Sequence, residues 1–586
     1  MKRLLYTTLL LLSAMGVFAS TTIVTPTICG HWTTSGSPYL IANNIDIPVD
    51  STLTIDPGVE VIFQGLYHLR VHGQLIAAGT VATPILFHAQ DTTGWYDDLS
   101  PLGGWHGIFF DPYTSSAPDH TVFEHCILSD MKYGGVAGVS PSAEIESYRT
   151  LVIKSCEFFH NQMTGMNGQC VILATMQSGL FTLEDCDIHD NFAYMGVIYT
   201  NNYPSGHSVF KGNKVHNNIA LDMLFTTQGQ VDVIDNDFYD NHNTGSGGTT
   251  VFITTNAVGT VSGNKIHHNS STHIGPLFCV SSIMDIKNNL ICNNTCTLGW
   301  CHFTDGGGGM MLQSGTFKVH NNIIANNYTN YTGGGVKVYE SDAWIANNTI
   351  VNNSSGDSGA AIHVANVSKD VFIKNNIISN NVSEISNTEP SIYFVWSRNV
   401  TIDNNFTNRA LSSEMHHSIG TIVGSTTHNI VNTDPLLLAP TTLASITVDA
   451  TVADFSLKPT SPCINAGDTA LAVCDANDYI GTSRIKGSSI DIGAYEYGRE
   501  NTAVGAYGYS ISGISIFPNP CTGNFFIDLT EAAGNIQVVD ILNKTIFTKD
   551  VVSKTTAVAL QNAPTGIYFV IWTNGTERKV EKMIVE

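Results

Sequence analysis

The sequence predicts an all-β protein: a parallel β-helix solenoid followed by a small C-terminal β-sandwich. A six-residue phrase returns between residues 126 and 381, beginning at Cys126, Cys156, Cys186, Asn213, Asn236, Asn264, Asn289, Asn322, Asn348 and Asn376. Successive starts lie 30, 30, 27, 23, 28, 25, 33, 26 and 28 residues apart, a period that marks stacked structural repeats. The third position is always apolar, from Leu128 and Phe158 to Ile350 and Ile378. The sixth position is Asn in nine consecutive repeats: Asn161, Asn191, Asn218, Asn241, Asn269, Asn294, Asn327, Asn353 and Asn381.

Alternation along a strand puts the first and third positions on the core side and the second and fourth outside. The sixth-position Asn is expected to supply the left-handed backbone of a tight corner and to stack coil on coil as a hydrogen-bonded amide ladder. A buried polar column is tolerable when every member is paired, and a regular stack pairs all but its ends. A disordered Asn-rich tract conflicts with the alternating β-branched residues and the 43% hydrophobic content. Leucine-rich and propeller repeats conflict with the residue pattern and the period.

Residues 1–19 read as a secretory signal peptide, with Lys2 and Arg3 before an apolar run and Val17-Phe18-Ala19 at the cleavage site. That run is too short for a membrane anchor, and no later stretch is long enough for a transmembrane span. Residues 20–429 form the β-helix. Its opening coils carry alternating runs at Leu53–Phe63 and Leu69–Ile76. The loop from Asp91 to Trp105 sets Trp95 and Trp105 beside carboxylates, either as a sugar platform or as packing. In the repeats, Cys126, Cys156 and Cys186 share one inward position and read as stacked thiols. His189, His216, Tyr239 and His267 share the outward fourth position and read as a surface ladder.

The longest repeat, from 289 to 322, holds Cys292, Cys296, Trp300, Cys301, His302, Asp305 and Gly306–Gly309. A long insertion on a regular scaffold is where function tends to sit. Trp300, with Tyr328 and Tyr331 in the next corner, is a candidate binding surface. The Cys/His spacing there matches no specific zinc pattern, so no metal site is assigned. Residues 430–497 break the rhythm and are expected to close the solenoid's last edge. Within them Arg484 is expected to pair with Asp491 or Glu496 as a structural bond, and Cys463 with Cys474 is a candidate disulfide. Residues 498–511 form a linker, and 512–586 contain short alternating strands that suggest a β-sandwich.

Two resemblances follow from these residues. The Gly-rich strand starts, Asn corners and variable turns resemble right-handed parallel β-helix proteins of the pectate-lyase-like superfamily. Phe517-Pro518-Asn519-Pro520, the strand at Gly566 and Tyr568, and the terminal strand with Lys579 and Lys582 resemble the type A C-terminal sorting domain of the type IX secretion system. These likenesses imply export to the cell surface or beyond through the type IX machinery, and a polysaccharide as the ligand to be bound and degraded. The alternative is a non-catalytic adhesin or structural surface rod. If the protein is an enzyme, a polysaccharide lyase or glycoside hydrolase is implied, and calcium enters only for a lyase. No basic residue among Lys154, Lys211, Lys287 and Lys374 sits in a recognisable carboxylate cluster. Asp187/Asp190 and Asp237/Asp240 are repeat positions, so the catalytic residues are unassigned. The balance of 26 basic to 49 acidic residues, a formal charge of −23, disfavours nucleic acid. A monomer is expected.

Overall fold

The structure, a computed structural model, describes residues 20–498 and 514–585, apart from 96, 98–99, 101, 111–120, 138–149, 164–169, 176–178, 195, 222, 246–247, 298–304, 368–369, 386–389, 418–422, 470–475, 518–520, 522, 530–533, 541–543, 552–554, 561–563 and 575–576. The signal-peptide residues, Trp300, Cys301, His302, Cys474, Pro518, Asn519 and Pro520 lie outside the described residues, as does nearly all of the 498–511 linker. The chain divides into two units, residues 1–497 and 498–586.

The first unit is a right-handed parallel β-helix whose coils present three walls. The first wall holds the recurring phrase: sixteen short parallel strands, from Thr21–Ile23 through Cys126–Ser129 and Ile377–Ser379 to Ile430–Val431. At about 4.8 Å per strand the stack is roughly 70 Å long. The second wall is typified by Val336–Tyr339 and the third by Asp342–Ala346, each pairing with its counterparts in the coils before and after.

From the coil of Cys126 to that of Asn376, each first-wall strand is bounded by two left-handed corners. The residue at the corner is the fifth of the phrase, not the sixth: Asp130, His160, Asp190, Asn217, Asp240, His268, Asn293, Asn326, Asn352 and Asn380 all have φ between 52° and 64°. The residue before the phrase, from His125 and Ser155 to Asn347 and Asn375, is likewise left-handed. Expectation and structure differ because Asp and His tolerate this conformation too, so the corner itself is variable. The invariant sixth Asn has a different task. It turns inward and is buried.

There the amides form the expected spine. Nδ2 of Asn218 donates to Oδ1 of Asn241 at 3.0 Å and to the carbonyl of Ile188 at 2.8 Å. Oδ1 of Asn218 accepts from the Nδ2 and the backbone N–H of Asn191, at 2.9 and 3.1 Å. The link repeats from Asn161 to Asn381 at 2.9–3.0 Å. A second spine, not foreseen, runs up the other corner through the first position: Asn213, Asn236, Asn264, Asn289, Asn322, Asn348, Asn376, Asn405 and Asn429, at 2.8–3.2 Å. Cys126, Cys156 and Cys186 occupy the same column in earlier coils as free, buried thiols. Each of the first two is met at its N–H by the next sulfur at 3.4 Å.

Ile430–Val431 forms the last first-wall strand among the described residues, and residues 437–497 belong to the same unit. They run back along the first wall as a strap. The corner side chains of Asn352, Asn326 and Asn293 donate in turn to the carbonyls of Thr441, Leu443, Ser445, Ile446 and Val448. The outward positions under the strap are Leu290, Ile323 and Ile377, with Cys292, Ala325 and Val351, and these form a core with Leu437, Phe455, Ile492 and Tyr495. The same positions in uncovered coils carry Glu157, Asp187, Lys214 and Asp237. Arg484 fastens the strap: Nη1 donates to Glu496 at 3.1 Å and Nη2 to Asn321. Cys463 is buried in the strap's core.

In the second unit, two antiparallel sheets of three and four strands share one core. Phe525, Ile527 and Leu529 face Ile536, Val538, Val570 and Trp572 across it, so this unit is a β-sandwich. Phe517 lies on strand Ile514–Phe517, and Lys579 and Lys582 on Glu577–Val585. Gly566 opens strand Gly566–Asn574, on which Tyr568 is buried with its hydroxyl donating to Pro564.

Candidate functional site

The second wall carries a cleft of about 630 Å³ over the coils that follow the long insertion. It arises from a run of glycine-rich turns. Gly307, Gly333 and Gly359 are left-handed, and a Cβ on Gly333 or Gly359 would lie 2.8 Å from the Cβ of Lys337 or 2.9 Å from that of His363. Only glycine lets the turn pass so closely over an outward strand position. The outward column Met311, Lys337, His363, Tyr393 is therefore covered at its start and opens at its end.

Lys337 forms the floor and is 2% exposed. Its ammonium donates to the backbone carbonyl of Asp305. Burial pushes Lys337 down to about 8, against the opposing charges of Asp305, Cys296 and Asp357. Burial and the neighbouring Lys337 push His363 down to about 3, so it is a neutral imidazole, and its buried Nδ1 has no hydrogen-bond partner among the described residues. Tyr393 stacks on His363 with ring centroids 5.7 Å apart. Tyr331, Tyr339 and Trp396 complete the walls. Trp396 is 60% exposed and has φ 46°, where the preceding coil uses Asn366 at φ 55°. A left-handed bulky residue costs roughly 1–2 kcal/mol, so this corner retains an indole at the rim where Asn fits without strain.

Of the described aromatic residues singled out in the sequence, only Tyr331 lines the cleft. Tyr328 lies beside it, half-buried, its hydroxyl donating to Asn330 at 2.6 Å. Trp105 is a correction: it is fully buried, stacks on Phe63 at 4.1 Å and donates to the Ser129 carbonyl, so no ligand reaches it. Trp95 is a second correction, 4% exposed and stacked on His160 at 3.8 Å. Their loop is wrapped around a buried ammonium. Lys132 donates to the carbonyls of Gly94, Asp97, Ser100 and Leu102 at 2.8–3.0 Å, which turns the loop inward.

The outward fourth positions stack as expected, through Phe159, His189, His216, Tyr239 and His267, with centroids 4.6–5.5 Å apart. Burial opposes protonation of His189, but hydrogen bonds to Glu157 and Asp190 outweigh it and raise the group to about 9. Among the described residues no three His, Cys, Asp or Glu side chains converge to hold a metal ion.

Lys337 and His363 were not legible in the sequence because they sit at ordinary outward strand positions. The available signal was the run Gly333-Gly334-Gly335-Val336-Lys337, repeated as Gly359-Ala360-Ala361-Ile362-His363.

Comparison with protein families gives two matches. Residues 223–407, which contain the cleft, match the right handed beta helix region, and residues 515–586 match the secretion system C-terminal sorting domain. No curated protein matches the chain significantly. The chain is thus a right-handed parallel β-helix protein carrying a type IX sorting domain, which directs it through that machinery to the cell surface or outside. No helix among the described residues is long and apolar enough to cross a membrane.

Proposed function

We propose that this exported β-helix binds an acidic polysaccharide in the second-wall cleft, with the Lys337 ammonium meeting a sugar carboxylate and Tyr331, Tyr393 and Trp396 contacting the sugar faces. The observation that carries this reading is a buried, weakly solvated cation at the floor of an aromatic-walled cleft on a protein addressed to the cell exterior. A desolvated ammonium binds an anion more strongly than an exposed one does. With its value near 8, about a tenth of the amine is free base at pH 7. In that free-base form the amine no longer pairs with the carboxylate as a cation and takes the proton next to that carboxylate. The C–H electron pair forms the double bond as the bond to the leaving sugar oxygen breaks, and the new ammonium returns the proton to that oxygen, the elimination chemistry of polysaccharide lyases. The protein acts as a monomer, and residues 1–19 serve as the export signal, to be checked by N-terminal sequencing of the mature protein.

The test is a panel of acidic and neutral plant, algal and host glycans, assayed for unsaturated products and new reducing ends, with calcium and after chelation. Product from an acidic glycan, lost in Lys337→Met, supports binding with cleavage. Retention of an acidic glycan without product leaves a binding rod, the adhesin alternative. Absence of both retention and product with every acidic glycan of the panel contradicts the proposal.

A further inference from the structure

The third wall carries a second surface, outside the cleft. Its outward column runs Asp285, Lys318, Trp344, Phe372, Thr401 through successive coils. In the neighbouring coils, from Asp232 through Thr260 and Asp285 to Lys318 and again at Thr401, this column is charged or hydroxylated; two adjacent aromatic rings are the departure there. Trp344 and Phe372 lie 5.3 Å apart, inclined by 39°, and form the floor of a groove of about 510 Å³. Lys374 supports the Phe372 ring, its ammonium 5.4 Å from the centroid. Thr316, Lys318, Asp342, Asp370 and Asn399 form the edges.

An apolar floor with a mixed hydrogen-bonding rim is the complement of a pyranose, whose C–H face stacks on an aromatic ring while its hydroxyls meet carboxylates and amides. The ring separation follows the coil rise and is close to the length of one hexose unit, so consecutive sugars can rest on consecutive rings. Lys318 faces Asp342 and Asp370 at the edges, a balance that disfavours an acidic chain and favours a neutral one.

We infer that Trp344 and Phe372 form a second carbohydrate-binding surface, for a neutral polysaccharide, independent of the Lys337 cleft. The experiment is affinity electrophoresis of the mature protein through gels containing a neutral β-glucan, a mannan or starch. The parent is compared with Trp344→Ala, Phe372→Ala, Trp344→Tyr and Lys337→Met. At least one neutral glycan is expected to retard the parent, with the apparent affinity falling at least tenfold in Trp344→Ala and Phe372→Ala. Trp344→Tyr, which keeps a ring, is expected to stay within about threefold of the parent, and Lys337→Met to match it. Retardation by none of the three glycans overturns the inference. So does equal retardation of Trp344→Ala and parent, or a Trp344→Tyr variant that behaves like Trp344→Ala. Loss in Lys337→Met alone assigns neutral-glycan binding to the cleft and overturns the independence of the groove.

Discussion

Asn241 shows what a single position contributes. Its Oδ1 accepts the Nδ2 and N–H of Asn218, while its Nδ2 donates to Asn269 and to the Val215 carbonyl. Asn241→Leu leaves two buried donors on Asn218 unpaired, at about 1–3 kcal/mol each. The variant is expected to unfold at lower denaturant, with faster exchange of the Asn218 amide; unchanged exchange would show that the spine is ornamental. Cys186 makes the opposite case. Its N–H already donates to Asn213 Oδ1 at 3.0 Å, and its sulfur sits where a ladder amide belongs. Cys186→Asn is expected to extend the second spine by one rung and to stay within about 1 kcal/mol of the parent. Destabilisation well beyond that in denaturant titrations means the thiol packing is specific. The sixth-position spine was readable because only Asn repeats there. The second spine was obscured by its Cys start, although nine later coils, from Asn213 to Asn429, carry Asn at the same position.

The strap illustrates why the path of one segment was not legible in its own sequence. Its own sequence breaks the repeat, which suggested an end cap. Its docking site is written elsewhere, in the switch from Glu157, Asp187 and His189 to Leu290, Ile323 and Ala325 on an outward face. Buried Leu and Ile at solvent positions require a cover. The fastening itself was legible, since Arg484 does pair with Glu496. Burial, and then the neighbouring Asp491, raise Glu496 to about 7 against the pull of Arg484, and burial raises Asp478 and Asp491 as well. A folded value above the unfolded one means that the folded state holds the proton more tightly. The penalty is therefore absent below about pH 4.5 and grows as pH rises through 7. Glu496→Gln keeps an acceptor for Arg484 and removes the charge. It is expected to match the parent at pH 4.5 and to exceed it by up to about 3 kcal/mol at pH 8. Thermal melts at the two pH values check this; a variant less stable than the parent at pH 8 means that the Arg484 ion pair outweighs the crowding of carboxylates.

Taken whole, the protein divides its labour among its walls. The first wall is partly clothed by the strap, the second bears the cleft with the buried Lys337, and the third bears the aromatic groove. Repetition made the architecture legible, because each coil restates the same constraints of corner, core and ladder. The cleft was hidden for the same reason: it depends on departures from the repeat, in glycine turns and in Lys337, that look ordinary until neighbouring coils are stacked. Asp305, noticed within the long insertion, reaches the site only through that stacking. The measurement that bears most directly on the account is the affinity of an acidic oligosaccharide for the mature protein between pH 6 and 9.5. The account predicts binding that weakens as Lys337 loses its proton near pH 8, and a Lys337→Met variant at least tenfold weaker at pH 7 with no change across that range. Affinity that is flat with pH in the parent, or equal in the two proteins, would contradict it.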